Sequence, residues 1–317
     1  MTSSNLAKGR YLVTGGAGFV GSHLCQRLLD LGCEVVVVDN FITGRKTNIQ
    51  PFLGNSKFTL IEKDIIEPLE LSGGLAGIFH MASPASPVDY MKFPIETLRV
   101  GAMGSDNILN LALQKKCPIL VASTSEIYGD PLEHPQKESY WGNVHTIGPR
   151  GCYDESKRYL EAITMAYHRV YNLPTRIIRI FNTYGPRMRT DDGRVVPNFC
   201  MQALANKDLT VYGEGKQTRS FCYVNDLVEG ILRVIQCDHS EPINLGNPTE
   251  TSILEFAKRI ITMAKSSSKI VYRALPEDDP KTRCPDISKA KSLLGWNPGM
   301  DLETGLRHTF DYFKSTL

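Results

Sequence analysis

Thr14-Gly15-Gly16-Ala17-Gly18-Phe19-Val20-Gly21 decides the fold of this chain. The run leaves a short apolar strand over 11–14 and enters a helix over 21–31. It satisfies GxGxxG from Gly16 and GxxGxxG from Gly15. Glycines permit the tight turn and the close approach of backbone to a pyrophosphate, and the helix N-terminus supplies partial positive charge. Gly15, Gly18, Phe19, Val20 and Gly21 are therefore expected at a dinucleotide. Asp39 ends the next strand, Glu34–Asp39, eighteen residues after Gly21. That is the spacing for a carboxylate on an adenosine ribose. Its charge would meet a 2′-phosphate, so NAD is expected, while Arg45 and Lys46 leave some room for NADP. Asp64, after the third strand, reads either as a partner of the adenine amino group or as a strand-end turn residue.

Working outward, strands and helices alternate. Four consecutive valines fill Glu34–Asp39, and further buried strands are expected at Phe58–Glu62, Gly77–His80, 119–123 and Thr175–Ile180. Long helical stretches are expected over 94–116 and 153–171. Near-continuous apolar strands in βα alternation indicate an α/β fold with a Rossmann-type, doubly wound parallel sheet. Beyond Asn182 the pattern loosens into loops rich in Arg, Gly and Pro. Helices follow near 195–205, 224–236 and 254–264. The last part holds 276–280, 286–294 and a helix from Leu302. The expected division is 1–182 for NAD binding and 183–317 for a smaller substrate lobe packed on the sheet. Some segments of the second part should return to the first.

Composition narrows the function. A chain of 317 residues, 42% hydrophobic and 22% charged, has the makeup of a globular protein with a sizeable core. A net charge of +2 gives no bulk electrostatic case for nucleic acid or a membrane. There is no apolar signal segment and no run of 18 apolar residues, so a cytoplasmic location is expected. Eight scattered cysteines form neither CxxC pairs nor a His/Cys metal spacing, which points to reduced thiols and no metal. Cys152, beside Tyr153, reads as a reactive thiol or a packed one.

Tyr153-x-x-x-Lys157 lies thirty residues downstream of Ser123-Thr124-Ser125-Glu126. A Tyr and a Lys one turn apart share a helix face. The ammonium, with a positive nicotinamide ring above it, would lower the phenol's pKa toward neutrality. A phenolate can take a proton from a sugar hydroxyl while the carbon beneath gives hydride to NAD.

With these motifs in place, the chain resembles the extended short-chain dehydrogenase/reductases. More narrowly it resembles the UDP-glucuronic acid decarboxylases, also called UDP-xylose synthases. The resemblance runs nearly end to end, through GGAGFVGSHL, DNFITGRKTN, HMASPASPVDYMKFPIETL, ASTSEIYGDPLEHPQ, CYDESKRYLE, RIFNTYGPRMRTDDGRVVPNF, LTVYGEGKQTRSFCYVNDLVEGI, NLGNP and DDPKTRCPDISKAKSLLGW. SPASPVDY, TSE and YGPRM…DDGRVV are its most specific parts.

The resemblance implies a hydroxyl-relay triad of Thr124, Tyr153 and Lys157. It places Ser125 and Glu126 at the sugar C5 carboxylate. Asn182, Arg187, Arg219 and Arg283 would lie near the diphosphate or carboxylate, where a planar guanidinium pairs with two oxygens. Leu209-Thr-Val-Tyr212 resembles the uracil-flanking segment, and Tyr90 a residue that closes the site over the sugar. Ser83, Pro84 and Arg194 join the implied substrate contacts. Asn40, Phe41, Thr43, Gly44, Ile65, Met81, Ser83, Ala122 and Thr183 join the implied NAD contacts. The implied activity is redox-neutral decarboxylation of UDP-glucuronate to UDP-xylose through a 4-keto intermediate, with NAD regenerated in the site. Release of the 4-keto pentose and a 4-epimerase remain alternatives. The Ser125-Glu126 pair counts against a 4,6-dehydratase, and Tyr153, Lys157, Glu126 and Arg283 count against a non-catalytic NAD-binding protein.

The helices over 94–116 and 153–171 match those that form a two-fold four-helix interface in the family, so a homodimer is expected. Ile108, Leu109, Leu111 and Leu113 suggest more apolar surface than one core-facing stripe needs. Eukaryotic members can carry an N-terminal membrane anchor, and none is read in this sequence. One departure concerns Val100-Gly101-Ala102-Met103-Gly104. The family usually has Thr-Asn there, followed by a glycine three residues on. Gly101 lacks that Asn side chain, which helps tie the catalytic helix to bound water, so the proton relay is put in doubt.

Overall fold

A computed structural model describes residues 6–274 and 282–317. Residues 276–280, and the Asp278-Asp279-Pro280-Lys281 part of the last motif, lie outside the described residues. Six parallel strands form the centre: β1 (Arg10–Thr14), β2 (Glu34–Asp39), β3 (Phe58–Glu62), β4 (Gly77–His80), β5 (Ile119–Thr124) and β6 (Thr175–Ile180). Their order is β3-β2-β1-β4-β5-β6, and the strand Pro242–Leu245 adds in parallel beyond β6. This is a Rossmann-type order, whose strand sequence reverses between β1 and β4.

The valine run of β2 explains why the sheet is covered on both faces. Val35 to Val38 are all fully buried. Side chains alternate along a strand, so Val35 and Val37 enter the core on one face and Val36 and Val38 the core on the other. The helices before and among these strands are α1 (Phe19–Asp30), α2 (Lys46–Ile49), α3 (Pro87–Lys92), α4 (Pro94–Arg99), α5 (Ser105–Lys115) and α6 (Gly151–Tyr171). α1, with the later helix Val224–Gln236, covers one face of the sheet, and α5 with α6 the other. No helix among the described residues is long and apolar enough to cross a membrane.

The glycine loop turns as its sequence requires. Gly15 has φ +70°, and a Cβ on it would lie 2.8 Å from the Ala82 backbone. A Cβ on Gly21 would lie 2.2 Å from the Gly15 carbonyl oxygen. Beyond β6, helices Val195–Leu204 and Ile253–Ala264 pack through Phe199, Phe221 and Phe256, with the last two rings 4.5 Å apart. Strand Leu209–Tyr212 pairs with Ile270–Arg273, and Thr218–Ser220 with Glu250–Ser252.

The helical stretch over 94–116 is present but interrupted. A π-helical turn, Val100–Gly104, joins α4 to α5. Such turns bulge a helix and often accompany functional sites. The residues read as surplus apolar surface are corrected here. Ile108, Leu109 and Leu111 are buried in the core against the sheet, and Leu113 packs at its margin. The exposed apolar side chains of this stretch are instead Ile95, Leu98 and Met103, with Val88 and Met91 on α3 before them.

The turn also explains Gly101. It is buried against α6, and a Cβ there would fall 2.6 Å from the Ser156 Cβ and 3.1 Å from the Ser156 carbonyl oxygen. There is no room for an Asn while Ser156 stands opposite. Gly101→Asn is therefore expected to destabilise the fold by about 1–3 kcal/mol, the usual cost of overpacking. Adding Ser156→Gly should recover part of that loss, because the nearest atom goes while the Ser156 carbonyl position stays. Thermal unfolding of the single and double variants checks this.

Candidate active site

The C-terminal ends of β1, β2, β4, β5 and β6 open into one cavity of about 570 Å³. Ligands of open α/β sheets bind at this edge, near the strand-order reversal. Of the residues expected at the cofactor, Gly15, Gly18, Phe19, Val20, Gly21, Asp39, Asn40, Thr43, Gly44, Asp64, Ile65, Met81, Ser83, Ala122, Tyr153, Lys157 and Thr183 all line it. Phe41 does not. Its φ is +58°, its amide donates to Asp39 Oδ1, and Lys46 sits over its ring.

Asp39 is buried at the end of β2. Its carboxylate accepts from the Ala17 amide and the Phe41 amide, both at 2.9 Å. Burial raises its pKa, while those two bonds oppose the rise. A Cβ on Gly44 would lie 2.7 Å from Asp39 Oδ1, so the loop closes tightly on the carboxylate. Asp64 serves as a turn residue, accepting from the Ile66 amide and the Asn40 side chain, and also faces the cavity. Lys46 is paired with Glu62 on the surface. Glycines that exclude any side chain, beside a buried carboxylate, fit a dinucleotide whose ribose carries no phosphate.

β5 and α6 position the catalytic candidates. β5 ends in Ser123-Thr124 and runs into a 3₁₀ turn, Ser125–Tyr128, in which the Glu126 amide donates to the Thr124 hydroxyl at 3.3 Å. Lys157 is buried, and its Nζ donates to the Ala122 carbonyl at 2.9 Å. It stands 5.7 Å from the centre of the Tyr153 ring. Desolvation alone lowers its pKa to about 8. Tyr153 is buried beside it. Burial is the dominant influence and raises its phenol above the ordinary value, although a hydrogen bond from Thr124 pulls the other way. The lowering expected of the phenol combines the Lys157 ammonium with a bound nicotinamide, and burial opposes both. Tyr90 stacks on Tyr153 with centroids 5.0 Å apart and planes 7° apart.

Glu126 sits at the centre of a charge cluster. Arg150 Nη2 lies 2.5 Å from its Oε2 and Arg283 Nη2 lies 3.1 Å from the same atom. Arg283 also donates to the Ser125 carbonyl at 2.6 Å and is almost wholly buried. Burial works to raise the Glu126 pKa, but Arg283 and Arg150 outweigh it and hold the carboxyl well below the usual range. Asp154, next to Tyr153, is pushed upward by burial and by the charge on Glu126. Arg150 and Asp154 escaped the sequence reading. The signal available was position, since Arg150 stands one helical turn before Asp154 in the Gly-Pro-Arg-Gly entry to α6.

The remaining substrate candidates divide. Ser83, Pro84, Tyr90, Asn182, Arg187, Arg194, Tyr212, Arg219 and Arg283 line the cavity. Leu209 does not. It is fully buried in the core and its amide is bonded to the Lys269 carbonyl. Strand alternation turns its neighbours Thr210 and Tyr212 to the cavity instead. Arg187 donates to the Ser22 carbonyl on α1 and lies over Phe52, which places it on the glycine-loop side rather than beside Glu126. Arg194 grips Asp192 with two bonds, at 2.5 and 2.7 Å. Cys152 is not activated. Burial raises its pKa and its thiol faces the Tyr90 carbonyl.

A family model described as GDP-mannose 4,6 dehydratase matches residues 12–309. UDP-glucuronic acid decarboxylase 1 of Xenopus tropicalis is 52% identical over 308 residues, covering 97% of this chain and 73% of the relative. UDP-glucuronic acid decarboxylase 4 of Arabidopsis thaliana is 54% identical over 297 residues, covering 94% of this chain and 67% of the relative. Among solved structures, UDP-glucuronic acid 4-epimerase from Bacillus cereus, in complex with UDP-glucuronic acid and NAD, is 29% identical with a TM-score of 0.86. That match covers 97% of this chain and all of the other.

The Glu126 cluster makes a prediction about pH. Because its folded pKa lies below the ordinary 4.5, ionised Glu126 stabilises the fold fully above that value. The contribution disappears as pH falls through the lowered value. Glu126→Gln lacks this term. The stability gap between wild type and variant should therefore narrow on acidification below about 4.5. Denaturant unfolding of both proteins across pH 3–6 checks the narrowing, and a constant gap would contradict the assignment.

Proposed function

The chain belongs to the GDP-mannose 4,6 dehydratase family, and from that premise we propose that it decarboxylates UDP-glucuronate to UDP-xylose with NAD retained in the site. One observation carries the reading. The Tyr153–Lys157 pair and the two-arginine cluster around Glu126 line the same cavity. The first suits proton removal from a sugar hydroxyl, and the second suits a sugar carboxylate.

The glycine loop and Asp39 would hold NAD, with Asp39 on the adenosine ribose. Bound there, NAD would supply the acceptor for the C4 hydride and the donor that restores it. Tyr153 takes the O4 proton, and Thr124 holds the phenol oxygen by a hydrogen bond. Lys157 favours the phenolate by charge, and the positive nicotinamide would add to it. The sugar is then a β-keto acid. Carbon dioxide leaves as the C5–C6 bonding electrons pass into an enolate on O4, and Tyr153 and Thr124 donate to that oxygen. Glu126, being ionised, does not donate the C5 proton itself. It orients Arg150 and Arg283 and, with Ser125, holds the water that does. Tyr153 finally returns its proton to O4. The balance is one proton taken up and one carbon dioxide lost.

In the same reading, residues 1–182 bind NAD and 183–317 mainly bind the nucleotide sugar. Tyr212 and Arg219 serve the nucleotide and diphosphate, and the strand Pro242–Leu245 returns to the main sheet. The active unit is a homodimer. Exposed Met91, Ile95, Leu98 and Met103, together with Tyr159 on α6, form the apolar surface that a second copy would cover. Sedimentation at micromolar concentration should give twice the chain mass, and a fully active monomer would remove this part of the reading.

Incubation with UDP-glucuronate should release carbon dioxide and give UDP-xylose without net NADH. Carbon dioxide with stoichiometric NADH would indicate release of the 4-keto pentose. A 4-epimer without carbon dioxide would overturn decarboxylation. In the same assay Tyr153→Phe should lower turnover by about a hundredfold or more, the scale of lost general-base catalysis.

A further inference from the structure

Away from the cavity, three donors of different kinds converge from three parts of the chain. The His134 Nε2, a Glu250 carboxylate oxygen and the Cys284 Sγ all lie within 4.8 Å of one another. His134 Nε2 is 2.9 Å from Glu250 Oε2. Neither the oxidation chemistry nor the carboxylate cluster uses these residues.

The scaffold around them is fixed before any ligand arrives. The Gln136 amide donates to the Cys284 carbonyl at 2.8 Å, and the Cys284 amide donates to the Gln136 side chain at 2.9 Å. The Asp286 amide donates to the Gln136 carbonyl at 2.8 Å, completing a short parallel bridge. His134 stands two residues before Gln136 on this segment. The Thr218 hydroxyl holds Glu250 Oε1 at 2.5 Å, which leaves Oε2 facing His134. Glu250 is opposite Ser220 in the strand pair, and the Ser220 hydroxyl donates to the Arg283 carbonyl at 2.9 Å. The backbones of His134, Glu250 and Cys284 are thus held by neighbours, and the Cys284 thiol donates to the Pro248 carbonyl at 3.3 Å, a bond that metal binding would replace.

We propose that His134, Glu250 and Cys284 form a zinc-type divalent metal site, completed by water. Imidazole, carboxylate and thiolate at tetrahedral zinc, with bonds of about 2.0–2.3 Å, stand about 3.3–3.8 Å apart. His134 and Glu250, now in direct contact at 2.9 Å, would part by a few tenths of an ångström to admit the metal, and the donors, all within 4.8 Å of one another, would settle around it. A thiolate disfavours magnesium and calcium, which take oxygen donors. One neutral imidazole, one carboxylate and one thiolate balance the two positive charges of the metal. The thiol proton is released to solvent on binding. Burial, together with the charges of Glu250 and Asp286, works against the free thiolate, and a cation placed between the donors relieves that repulsion. His134 and Glu250 have side chains 42% and 27% exposed, which gives the metal an entry. The metal would fasten the segment that carries Arg283 to two others, making it a structural clip at the edge of the active site.

The test uses the full chain, stripped with a chelator and titrated with zinc or cobalt(II). One equivalent should bind, raise the melting temperature and release one proton. Cobalt should give a thiolate charge-transfer band. Cys284→Ser should abolish that band. His134→Gln should weaken binding by more than the roughly 10–100-fold lost with an outer partner of a metal ligand. Glu250→Gln provides the same measurement if the serine variant does not fold. A band that survives in Cys284→Ser, unchanged affinity in His134→Gln or Glu250→Gln, or no stoichiometric binding would overturn the site and leave an ordinary His134–Glu250 ion pair.

Discussion

A buried ammonium organises the catalytic end of this protein. Lys157 reaches from α6 to the Ala122 carbonyl of β5. Taking a charge out of water is costly unless it is bonded, and the fall of its pKa to about 8 records that cost. The contact sits directly before Ser123, so it sets the height at which β5 delivers Thr124, Ser125 and Glu126. One turn further along α6, Glu161 accepts from Ser123 at 2.5 Å and from Arg179 on β6 at 2.8 and 2.9 Å. Arg179 continues to the Tyr128 hydroxyl, which donates to Asn244 on the outermost strand. A line of charged and polar contacts therefore ties α6 to three adjacent strands. Losing one partner of such a buried pair typically costs about 3–5 kcal/mol.

That arrangement explains how the π turn fits. α6 is held against β5 by Lys157 and Glu161, so its other side must accept whatever α4 and α5 present. Ser156, directly before Lys157, already fills the contact at Gly101. The missing Asn side chain noted in the sequence is a consequence of close helix packing at this point. Its absence leaves the anchoring of Lys157 intact, because that anchoring runs through the Ala122 backbone and not through α5.

The cofactor half was legible because its residues act through backbone geometry. A glycine that must turn, a helix that must begin and a carboxylate that must end a strand are local facts, so Gly15, Gly21 and Asp39 could be placed from spacing alone. Tyr153 and Lys157 were legible for the same reason, as neighbours on one helix. The cluster at Glu126 was not. Arg150 lies twenty-four residues from Glu126 and Arg283 lies 157 away, and their meeting depends on how two loops fold across the sheet. Resemblance supplied Arg283 but not Arg150. Leu209 was misplaced because a motif names a strand without saying which alternate side chains face inward. Burial of the phenol, which opposes the lowering expected from the ammonium and nicotinamide together, was not visible in the sequence because it depends on how Tyr90 and the loops close over α6.

The same cluster bears on why carbon dioxide can leave, on the proposed reading. In the ground state the substrate carboxylate is the anion that Arg150 and Arg283 can attract, and strong binding of it would oppose its loss. Negative charge moves from that carboxylate to O4 as the C5–C6 bond breaks. Two guanidiniums facing only the departing group would be left as uncompensated buried cations. Glu126 changes this balance, because it is ionised and already bonded to both. As the substrate charge withdraws, Glu126 keeps each arginine paired, and the cost of releasing carbon dioxide falls. The carboxylate cluster is then a charge buffer for a reaction in which an anion disappears, while the Tyr153–Lys157 pair stabilises the charge that appears at O4.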